Sequence, residues 1–298
     1  MINFHKYGFL DCKRLISQIK DKGYWLKDFN PIWLFVWSDL YKPLIAFTND
    51  FIYIRIYDRQ EGILYYPPIG SGDMKLALYE MKNDAKEVGA DLKICAIDSL
   101  HKETLLGYRI NSSLNLKKTN YIFSANNLLF DNKKKYKYEM KLIKEFYKEY
   151  PNTYSRIIKK DDFPKLLEFI NNWNSNGGID LANVSFFQRL DMIKKSMEHL
   201  YELDLVGLLL LDEEKIYGFS LASIISNTAY IHAFMTLSDI EGSAEALMAA
   251  FSRLLLTRVR YINFDCDNGI KEVREGFLKL KPLKLEEYNQ TFLDEDEN

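Results

Sequence analysis

Residues 203–239 read LDLVGLLLLDEEKIYGFSLASIISNTAYIHAFMTLSD and contain three apolar runs that are rich in β-branched or aromatic residues. The charged turn from Asp212 to Lys215 separates the first run from the second, and Ser226 with Asn227 separates the second from the third. Apolar runs between such turn signals are typical of β-strands. The stretch therefore predicts a three-stranded antiparallel meander.

A helix is predicted directly after this meander. Ser243 is a good N-cap residue, and apolar residues recur at helical spacing from Ala246 to Leu255. A short strand at residues 261–265, an amphipathic segment at 270–280 and a last strand through Tyr288 follow. The predicted order is β-β-β-α-β-α-β, which is an α+β arrangement.

The first half of the chain repeats this order. Three strands, a helix after a glycine-bearing junction, a further strand and a further helix are predicted at residues 43–48, 51–57, 62–67, 73–88, 91–97 and 102–108. A pattern that recurs at one offset indicates a duplicated domain. We predict an N-terminal unit at residues 1–128 and, at residues 129–298, a linking basic helix followed by a C-terminal unit.

Length and composition limit the class of protein. With 298 residues and 47% hydrophobic content the chain can fill two cores, and its formal charge of −2 gives no global attraction to nucleic acid or an anionic membrane. The N-terminal sequence MINFHKYGFLDCKRL lacks a signal-peptide pattern, and no apolar stretch is long enough to span a bilayer. Cys12, Cys95 and Cys266 match no zinc spacing, so no metal site is predicted. We expect a cytoplasmic protein with free thiols and no transmembrane segment.

The segment from Asn132 to Tyr150 is predicted to be a helix and carries the one strongly basic run of the sequence. In one interpretation the lysines are a solvated face, with Tyr136, Met140, Ile143 and Phe146 directed inward. In the other they contact a phosphate backbone such as a tRNA acceptor stem. The candidate nucleic-acid-binding residues are Lys133, Lys137, Lys141 and Lys144.

Each predicted unit has a junction at which a helix begins after a strand. The backbone N–H groups of a helix N-terminus suit an anion such as the pyrophosphate of coenzyme A. The first junction is the better cradle because its glycines are close together, whereas the second carries carboxylates. The candidate cofactor-binding residues are Gly70, Ser71 and Gly72 at the first junction and Glu241, Gly242 and Ser243 at the second.

Three polar residues of the second unit are candidates for catalysis. His232 lies in the middle of a predicted strand, where it is either a general base for an amine nucleophile or a hydrogen-bonded core histidine. Asp265 and Asp267 end the next strand and share a face, so they either orient a cationic amine or cap the following helix. Both alternatives stay open for each residue.

The order of these marks resembles a family of tandem GNAT (acyl-CoA N-acyltransferase) proteins that shares its domain with the C-terminal part of phosphatidylglycerol lysyltransferase. The resemblance covers nearly the whole chain. Its marks are Leu34, Trp37, Tyr41, Pro68 to Gly70, Tyr121, Ile122, Lys135, Tyr136, Phe146, Tyr150 and Pro151, and then His232, Gly242, Asn263, Asp267, Gly269, Pro282 and Tyr288.

This resemblance implies two GNAT-like units, each with a mixed, mostly antiparallel sheet flanked by helices. It also implies transfer of an acyl or aminoacyl group from acyl-CoA or aminoacyl-tRNA, with Tyr288 as a general acid. In the lysyltransferases of this family the transfer runs from aminoacyl-tRNA to a lipid headgroup. Three charged positions of the family differ here, where Phe264, the pair Phe234 and Met235, and the pair Met140 and Lys141 stand instead.

Two functions follow as hypotheses. The first is an acyl or aminoacyl transferase in which a substrate amine attacks an activated acyl donor and backbone N–H groups stabilise the oxyanion. The second is a non-catalytic descendant that binds a small molecule or a protein in the cleft between the units. An exposed His232 facing a cleft with Asp265 or Asp267 would favour the transferase, and a His232 enclosed by apolar neighbours such as Phe234 and Phe264 would favour the binding protein.

Overall fold

The computed structural model describes residues 2–108, 110–175, 184–213 and 215–292. In this part the helices are α1 (Phe9–Ile19), α2 (Pro31–Val36), α3 (Ser38–Tyr41), α4 (Met74–Glu87), α5 (Ser99–Leu106), α6 (Lys137–Glu149), α7 (Phe163–Ser175), α8 (Phe186–Glu198), α9 (Ser243–Leu255) and α10 (Lys271–Lys279). The strands are β1 (His5–Lys6), β2 (Leu44–Phe47), β3 (Phe51–Asp58), β4 (Gly62–Tyr65), β5 (Ile69–Gly70), β6 (Lys93–Ile97), β7 (Ser113–Leu114), β8 (Asn120–Ser124), β9 (Tyr154–Ile157), β10 (Val206–Leu211), β11 (Ile216–Ile225), β12 (Thr228–Thr236), β13 (Tyr261–Asn263), β14 (Lys284–Glu286) and β15 (Asn289–Phe292).

The described residues form two compact units, one of residues 2–120 with 285–292 and the other of residues 121–284. Each unit contains an antiparallel meander, then a helix, then a strand parallel to the last meander strand, and then another helix. This is the repeated order that the sequence predicts. The division between residues 128 and 129, as the boundary of the duplicated units, stays a prediction.

The first sheet has the strand order β1-β2-β3-β4-β6-β15-β7, with β5 paired to β3. Its pairs are antiparallel except for β4 with β6, which are parallel at Tyr65 and Ile94. A core cluster around Tyr53, Tyr65 and Met81 joins this sheet to α4. The sheet therefore buries the apolar face of the first meander against the helix that follows it.

The predicted strand after Pro282 is β14, which pairs with β8 in the second sheet. A further strand that the sequence does not predict, β15, pairs antiparallel with β6 of the first sheet, with Asn289 opposite Ile97. Strand β6 pairs with β4 along one edge, and β15 pairs with its other edge, which would otherwise be an open edge of the sheet. Tyr288 itself lies between β14 and β15.

The second sheet has the strand order β14-β8-β13-β12-β11-β10-β9. The predicted turns form its hairpins: the Asp212 side chain accepts from the Lys215 amide, and Ser226 has a φ of 55° in the two-residue turn between β11 and β12. Helix α9 packs on one face through Ala246, Leu247 and Phe251. The C-terminal end of β12 therefore leads to the start of α9, whereas β13 ends opposite Tyr230 near the beginning of β12.

Helix α9 begins one residue away from the predicted cap. Gly242, with a φ of 80°, is the N-cap, and Ser243 is the first helical residue. The Ser243 hydroxyl donates to the carbonyl oxygens of Ile240 and Leu237 at 2.8 and 3.3 Å and caps no N–H group. The turn before the helix needs a left-handed residue, and glycine supplies it without strain.

No helix in the described ranges is long and apolar enough to cross a membrane.

Candidate functional site

Strands β12 and β13 part within the second sheet. Their parallel ladder covers only Thr228 to Tyr230 on β12 and Tyr261 to Asn263 on β13, while β12 continues to Thr236. Past Tyr230 the ladder to β13 ends, and the other edge of β12 stays paired with β11. Backbone groups at such a divergence can face a ligand between the two strands.

His232 is the extra residue of a β-bulge at this divergence. Ala222 of β11 pairs with Ile231 of β12, and Leu221 pairs with Ala233, so the register of β11 contains no residue opposite His232. A bulge bends its strand and redirects one side chain, and bulges are frequent next to active sites. The bulge gives His232 a position that a regular strand would not.

The imidazole of His232 bonds to Ser223 of the neighbouring strand. Nε2 lies 2.9 Å from the Ser223 hydroxyl oxygen, and the two residues are 8% and 0% exposed. Side chains alternate along a strand, and Ala222 packs in the cluster that contains α9, so Ser223 lies on the opposite face of the sheet. The His232 side chain is thus buried, on the face away from α9. The exposed His232 expected of a transferase is not observed, and the rings of Phe234 and Phe264 expected to enclose it in a binding protein lie on the α9 face instead.

Asp267 is fully buried and holds the turn after β13. Its carboxylate accepts hydrogen bonds from the Tyr121 hydroxyl at 2.6 Å, from the Gly269 amide at 2.7 Å, and from Nε and Nη2 of Arg274 at 2.9 and 3.0 Å. Its side chain is 0% exposed and that of Arg274 is 37% exposed. With both oxygens engaged twice, Asp267 connects the turn to α10 and β8.

The titration of this group follows from these bonds. Burial alone would raise the pKa of Asp267, but the hydrogen bonds from Arg274, Tyr121 and the Gly269 amide outweigh it and hold the pKa below its usual value. Burial, together with the bond to Asp267, raises the pKa of Tyr121 to about 12. The carboxylate is therefore ionised at neutral pH and is not a base that takes up protons there.

Asp265 stands in a strained turn. Its φ is 71° and that of Asn268 is 52°, values that are uncommon outside glycine. Its side chain accepts from the Cys266 amide, and its own amide donates to the Asn263 side chain at 2.7 Å. Strained residues of this kind persist where the surroundings determine them, and they are frequent at functional sites.

An aromatic cluster fills the α9 face beside the divergence. The Phe264 ring lies 5.5, 5.6 and 5.9 Å from the rings of Phe234, Phe123 and Phe277. Phe264 is 7% exposed. Aromatic rings therefore fill this side of the sheet around Phe264.

A cavity of about 340 Å³ lies past the C-terminal end of β12. Its apolar lining includes Phe169 of α7, whose ring packs on Phe219, and Leu237 just after β12. Trp173 of α7 also donates to the Thr236 carbonyl at 3.1 Å, which places α7 over this end of the strand. The charged lining residues are Lys165, Glu168, Asp212, Glu213, Lys215 and Asp239.

The second junction faces a helix and carboxylates. A Cβ on Gly242 would lie 2.4 Å from the Leu142 carbonyl oxygen of α6, so close packing explains this glycine. Burial raises the pKa of Glu245 in the first turn of α9, and the nearby carboxylates of Glu139 and Glu241 raise it further. The geometry offers no support for a pyrophosphate at Glu241, Gly242 and Ser243, and that assignment stays a prediction.

The first junction is exposed, but its helix N-terminus is already capped. The Asp73 side chain accepts from the amides of Lys75 and Leu76 at 2.9 and 3.4 Å. A Cβ on Gly70 or Gly72 would collide with the turn at Asp50 and Phe51, at 2.0 and 2.6 Å. Gly70, Ser71 and Gly72 thus follow the packing of that turn, and their role in cofactor binding stays a prediction.

Tyr288 belongs to the first unit, apart from the residues of the second. It is 2% exposed, bonds to the buried Cys95 thiol and lies under the Lys118 ammonium, which is 5.1 Å from its ring centre. Burial raises the pKa of Tyr288 well above its ordinary value, and it raises that of Cys95 to about 12. Its surroundings are those of a core tyrosine, and its role as a general acid stays a prediction.

The basic segment contains an amphipathic helix, as the sequence predicts, but α6 begins at Lys137 and not at Asn132, so Lys133 lies in the turn before it. Tyr136 and Phe146 are buried, Met140 and Ile143 are half-buried, and the helix packs against α9. The lysines proposed for nucleic-acid binding are all exposed: Lys133, Lys137, Lys141 and Lys144.

His232 lies on β12, whereas β13 ends at Asn263 and both Asp265 and Asp267 lie in the turn after it. The predicted strand that ends with the two aspartates on one face is therefore wrong, because the φ of 71° at Asp265 breaks the strand alternation. Sequence reasoning missed the partners Ser223, Tyr121 and Arg274. Arg274 could have been found, because it follows Asp267 by seven residues on an amphipathic helix. Ser223 could not, since a regular hairpin register would place Leu221, not Ser223, near His232. Within the described ranges no group of three or more His, Cys, Asp or Glu residues could hold a metal ion.

Comparison with known proteins adds a family and a fold. The family model for phosphatidylglycerol lysyltransferase, C-terminal, matches residues 28–281. No curated protein matches the chain.

Three solved structures resemble the chain along nearly all of its length. A conserved protein of unknown function from Bacteroides thetaiotaomicron is 21% identical with a TM-score of 0.91, over 99% of this chain and 100% of that one. L-PGS from Bacillus licheniformis is 14% identical with a TM-score of 0.65, over 94% and 90%. The tandem GNAT protein from the clavulanic acid biosynthesis pathway is 8% identical with a TM-score of 0.54, over 98% of both chains. The predicted fold of two tandem GNAT-like units is confirmed.

Proposed function

Because the chain belongs to the family of the phosphatidylglycerol lysyltransferase C-terminal domain, we propose that it transfers an acyl or aminoacyl group from an activated donor to an amine. The observation that carries the proposal is the bulge at His232, where β12 leaves its ladder with β13. It combines a titratable side chain with a gap between two strands in one place. In this fold such a gap can receive an extended donor.

The chemistry is a direct attack. The amine nitrogen forms a bond to the carbonyl carbon of the ester or thioester, and backbone N–H groups at the divergence stabilise the oxyanion. His232 takes the proton from the attacking nitrogen and returns it to the leaving oxygen or sulfur. Because His232 is buried, the donor must enter between β12 and β13 for this proton transfer to occur.

Asp267 keeps the turn after β13 in place through Arg274 and takes no part in proton transfer. Asp265 is less buried, and its carboxylate lies in the same turn. Together their hydrogen bonds fix the turn at the end of β13. A shift of one ångström in such a turn can reduce the rate about 100-fold.

In this proposal the acceptor binds first in the cavity past β12, whose lining does not include His232, and then moves along β12 to the bulge. Four of its charged lining residues are carboxylates and two are lysines, so its lining favours a cation over an anion. An aliphatic amine with a short apolar stem fits this combination of acidic rim and apolar floor. The same cavity would repel the phosphates of coenzyme A.

Of the two donors, aminoacyl-tRNA fits this chain better than acyl-CoA. At the second junction, where a pyrophosphate would bind, Gly242 packs against Leu142 of α6. The outer face of the same helix carries exposed lysines, among them Lys141 with a side chain 66% exposed. The phosphate backbone of tRNA can bind to the exposed face of α6, while the opposite face of α6 packs against Gly242 at the second junction.

A radioactive transfer assay tests the proposal. Purified protein is incubated with an amine acceptor and either lysyl-tRNA or acetyl-CoA labelled in the acyl group, and the label in the acceptor is counted. His232→Gln should lower the rate about 10²- to 10⁴-fold. His101→Gln is the matched control, because His101 is equally buried, at 8% exposure, and bonds to Asp98 in the first unit. Equal rates for the His232 variant and the wild type would reject the proposed base.

A specific observation favours binding without catalysis as the second candidate. His232 is 8% exposed, and the ring cluster around Phe264 replaces a charged position of the family. In this case the acidic cavity still binds an amine. A thermal shift with the amine alone, and no label transferred from either donor, would select the binding protein over the transferase.

A further inference from the structure

The bond between Ser223 and His232 has a chemical consequence that depends on its direction. A neutral imidazole has one N–H donor and one lone pair on its two nitrogens. Nε2 lies 2.9 Å from the Ser223 hydroxyl oxygen, and the tautomer of His232 determines which of the two groups donates in this bond. Only one of the two directions leaves a lone pair on Nδ1.

We propose that Ser223 accepts a hydrogen bond from Nε2–H of His232 and thereby makes Nδ1 the nitrogen that takes the substrate proton. The inference rests on the proposed function, in which His232 is the base. If Ser223 donated instead, Nδ1 would carry the proton and Nε2 would be engaged by the serine. In that tautomer neither nitrogen could accept a proton from an amine.

The bulge makes Ser223 the residue that can do this. Ser223 lies opposite Tyr230 in the register, and the register shift next to His232 brings the imidazole to Ser223 instead of to Leu221. Leu221 and Ala222 are apolar, so a histidine in a regular strand would face no hydroxyl there. Ser223 is a positioning residue, because it acts through His232 and touches no reacting atom.

Burial strengthens this control. Ser223 is 0% exposed and His232 is 8% exposed, so water competes little with their bond. In such surroundings a hydrogen bond is electrostatically stronger than in water and can fix one tautomer. A serine hydroxyl can accept Nε2–H through one of its lone pairs.

The tautomer can be read without any turnover. The chain has four histidines, so the imidazole ¹⁵N signals of His232 can be assigned with a His232→Gln sample. In the intact protein, above the pH at which the ring is charged, we expect a protonated-type Nε2 and a lone-pair-type Nδ1. Ser223→Ala should move both signals toward a mixture of tautomers, and Ser223→Thr, which keeps a hydroxyl, should retain the wild-type signals.

An Nδ1–H tautomer in the wild type, or unchanged signals in Ser223→Ala, would overturn the inference. In the transfer assay Ser223→Ala should lower kcat roughly ten- to a hundredfold with little change in KM, and Ser223→Thr should restore it. A change in KM alone, with kcat unaltered, would also refute the inference. The expected tautomer without any transfer would support this arrangement and reject only the proposed function.

Discussion

Replacing Asp267 by alanine should destabilise the second unit strongly. The change removes a carboxylate that accepts four hydrogen bonds and leaves Arg274 and the Tyr121 hydroxyl without it. Breaking a buried ion pair costs about 3–5 kcal/mol. Since the Arg274 side chain is 37% exposed, water compensates part of this loss, and we expect a decrease of about 2–3 kcal/mol in the free energy of unfolding.

Urea unfolding followed by circular dichroism measures this loss, and a slope near 2 kcal/mol/M converts it to a midpoint lower by about 1–1.5 M. Glu275→Ala is the control on the same helix. Its pair with Lys271 is 3.9 Å long with side chains 56% and 80% exposed, so its removal should cost less than about 0.5 kcal/mol. Hydrogen exchange should also accelerate in peptides that cover residues 265–280.

The loss should depend on pH with a defined sign. The pKa of Asp267 is lower in the folded protein than its value of 3.8 in a free side chain. Its contribution is therefore fully present above pH 3.8 and disappears as the pH falls through the folded value. The difference between wild type and Asp267→Ala should shrink below about pH 3.8. A midpoint shift equal to that of Glu275→Ala, or a difference unchanged down to pH 2, would refute the reasoning.

Two further predictions concern a pair of glycines and the basic helix. Gly242→Ala should lower the free energy of unfolding by about 2–4 kcal/mol, because its φ is 80° and the new Cβ would collide with Leu142. Gly276→Ala is the control in α10 and should raise the free energy of unfolding by about 0.5–1 kcal/mol, because the space around Gly276 is open. Equal effects of the two changes in urea unfolding would contradict the packing explanation. Changing four exposed lysines of the basic segment to glutamine should weaken tRNA binding and reduce the slope of log affinity against log salt by about three units. The same change at four exposed lysines elsewhere should reduce the slope less. The absence of tRNA binding by the wild type at low salt would refute the proposal. The test set is Lys133, Lys137, Lys141 and Lys144, and the control set is Lys20, Lys22, Lys75 and Lys117.

Local signals in the sequence predicted most of the second sheet. The strands from Val206 to Thr236 follow directly from apolar runs between turns, since hairpins join neighbours in the chain. The helix after Gly242 was predicted to within one residue for the same reason. The sequence predicts a ligand at Gly242, and that role stays a prediction. The close approach of Gly242 to the Leu142 carbonyl oxygen could not be predicted, because no local pattern indicates that contact.

Long-range choices escaped the prediction. The partner of a strand at the end of the chain depends on which sheet edge is open, and β15 joins β6 across most of the sequence. The bulge at His232 was also invisible, because it depends on a register shift between two strands that are apolar throughout. For these reasons the residue types of the candidate site could be predicted, and their hydrogen-bond partners could not.

The place of β15 in the first sheet affects how the protein is made. A ribosome releases residues 2–120 first, but the edge of β6 must wait for its partner until Phe292 has emerged. At roughly 5–20 residues per second, this interval lasts on the order of ten to thirty seconds. An open strand edge is prone to wrong pairing during such a delay. The unit that begins the chain is therefore the last to be completed.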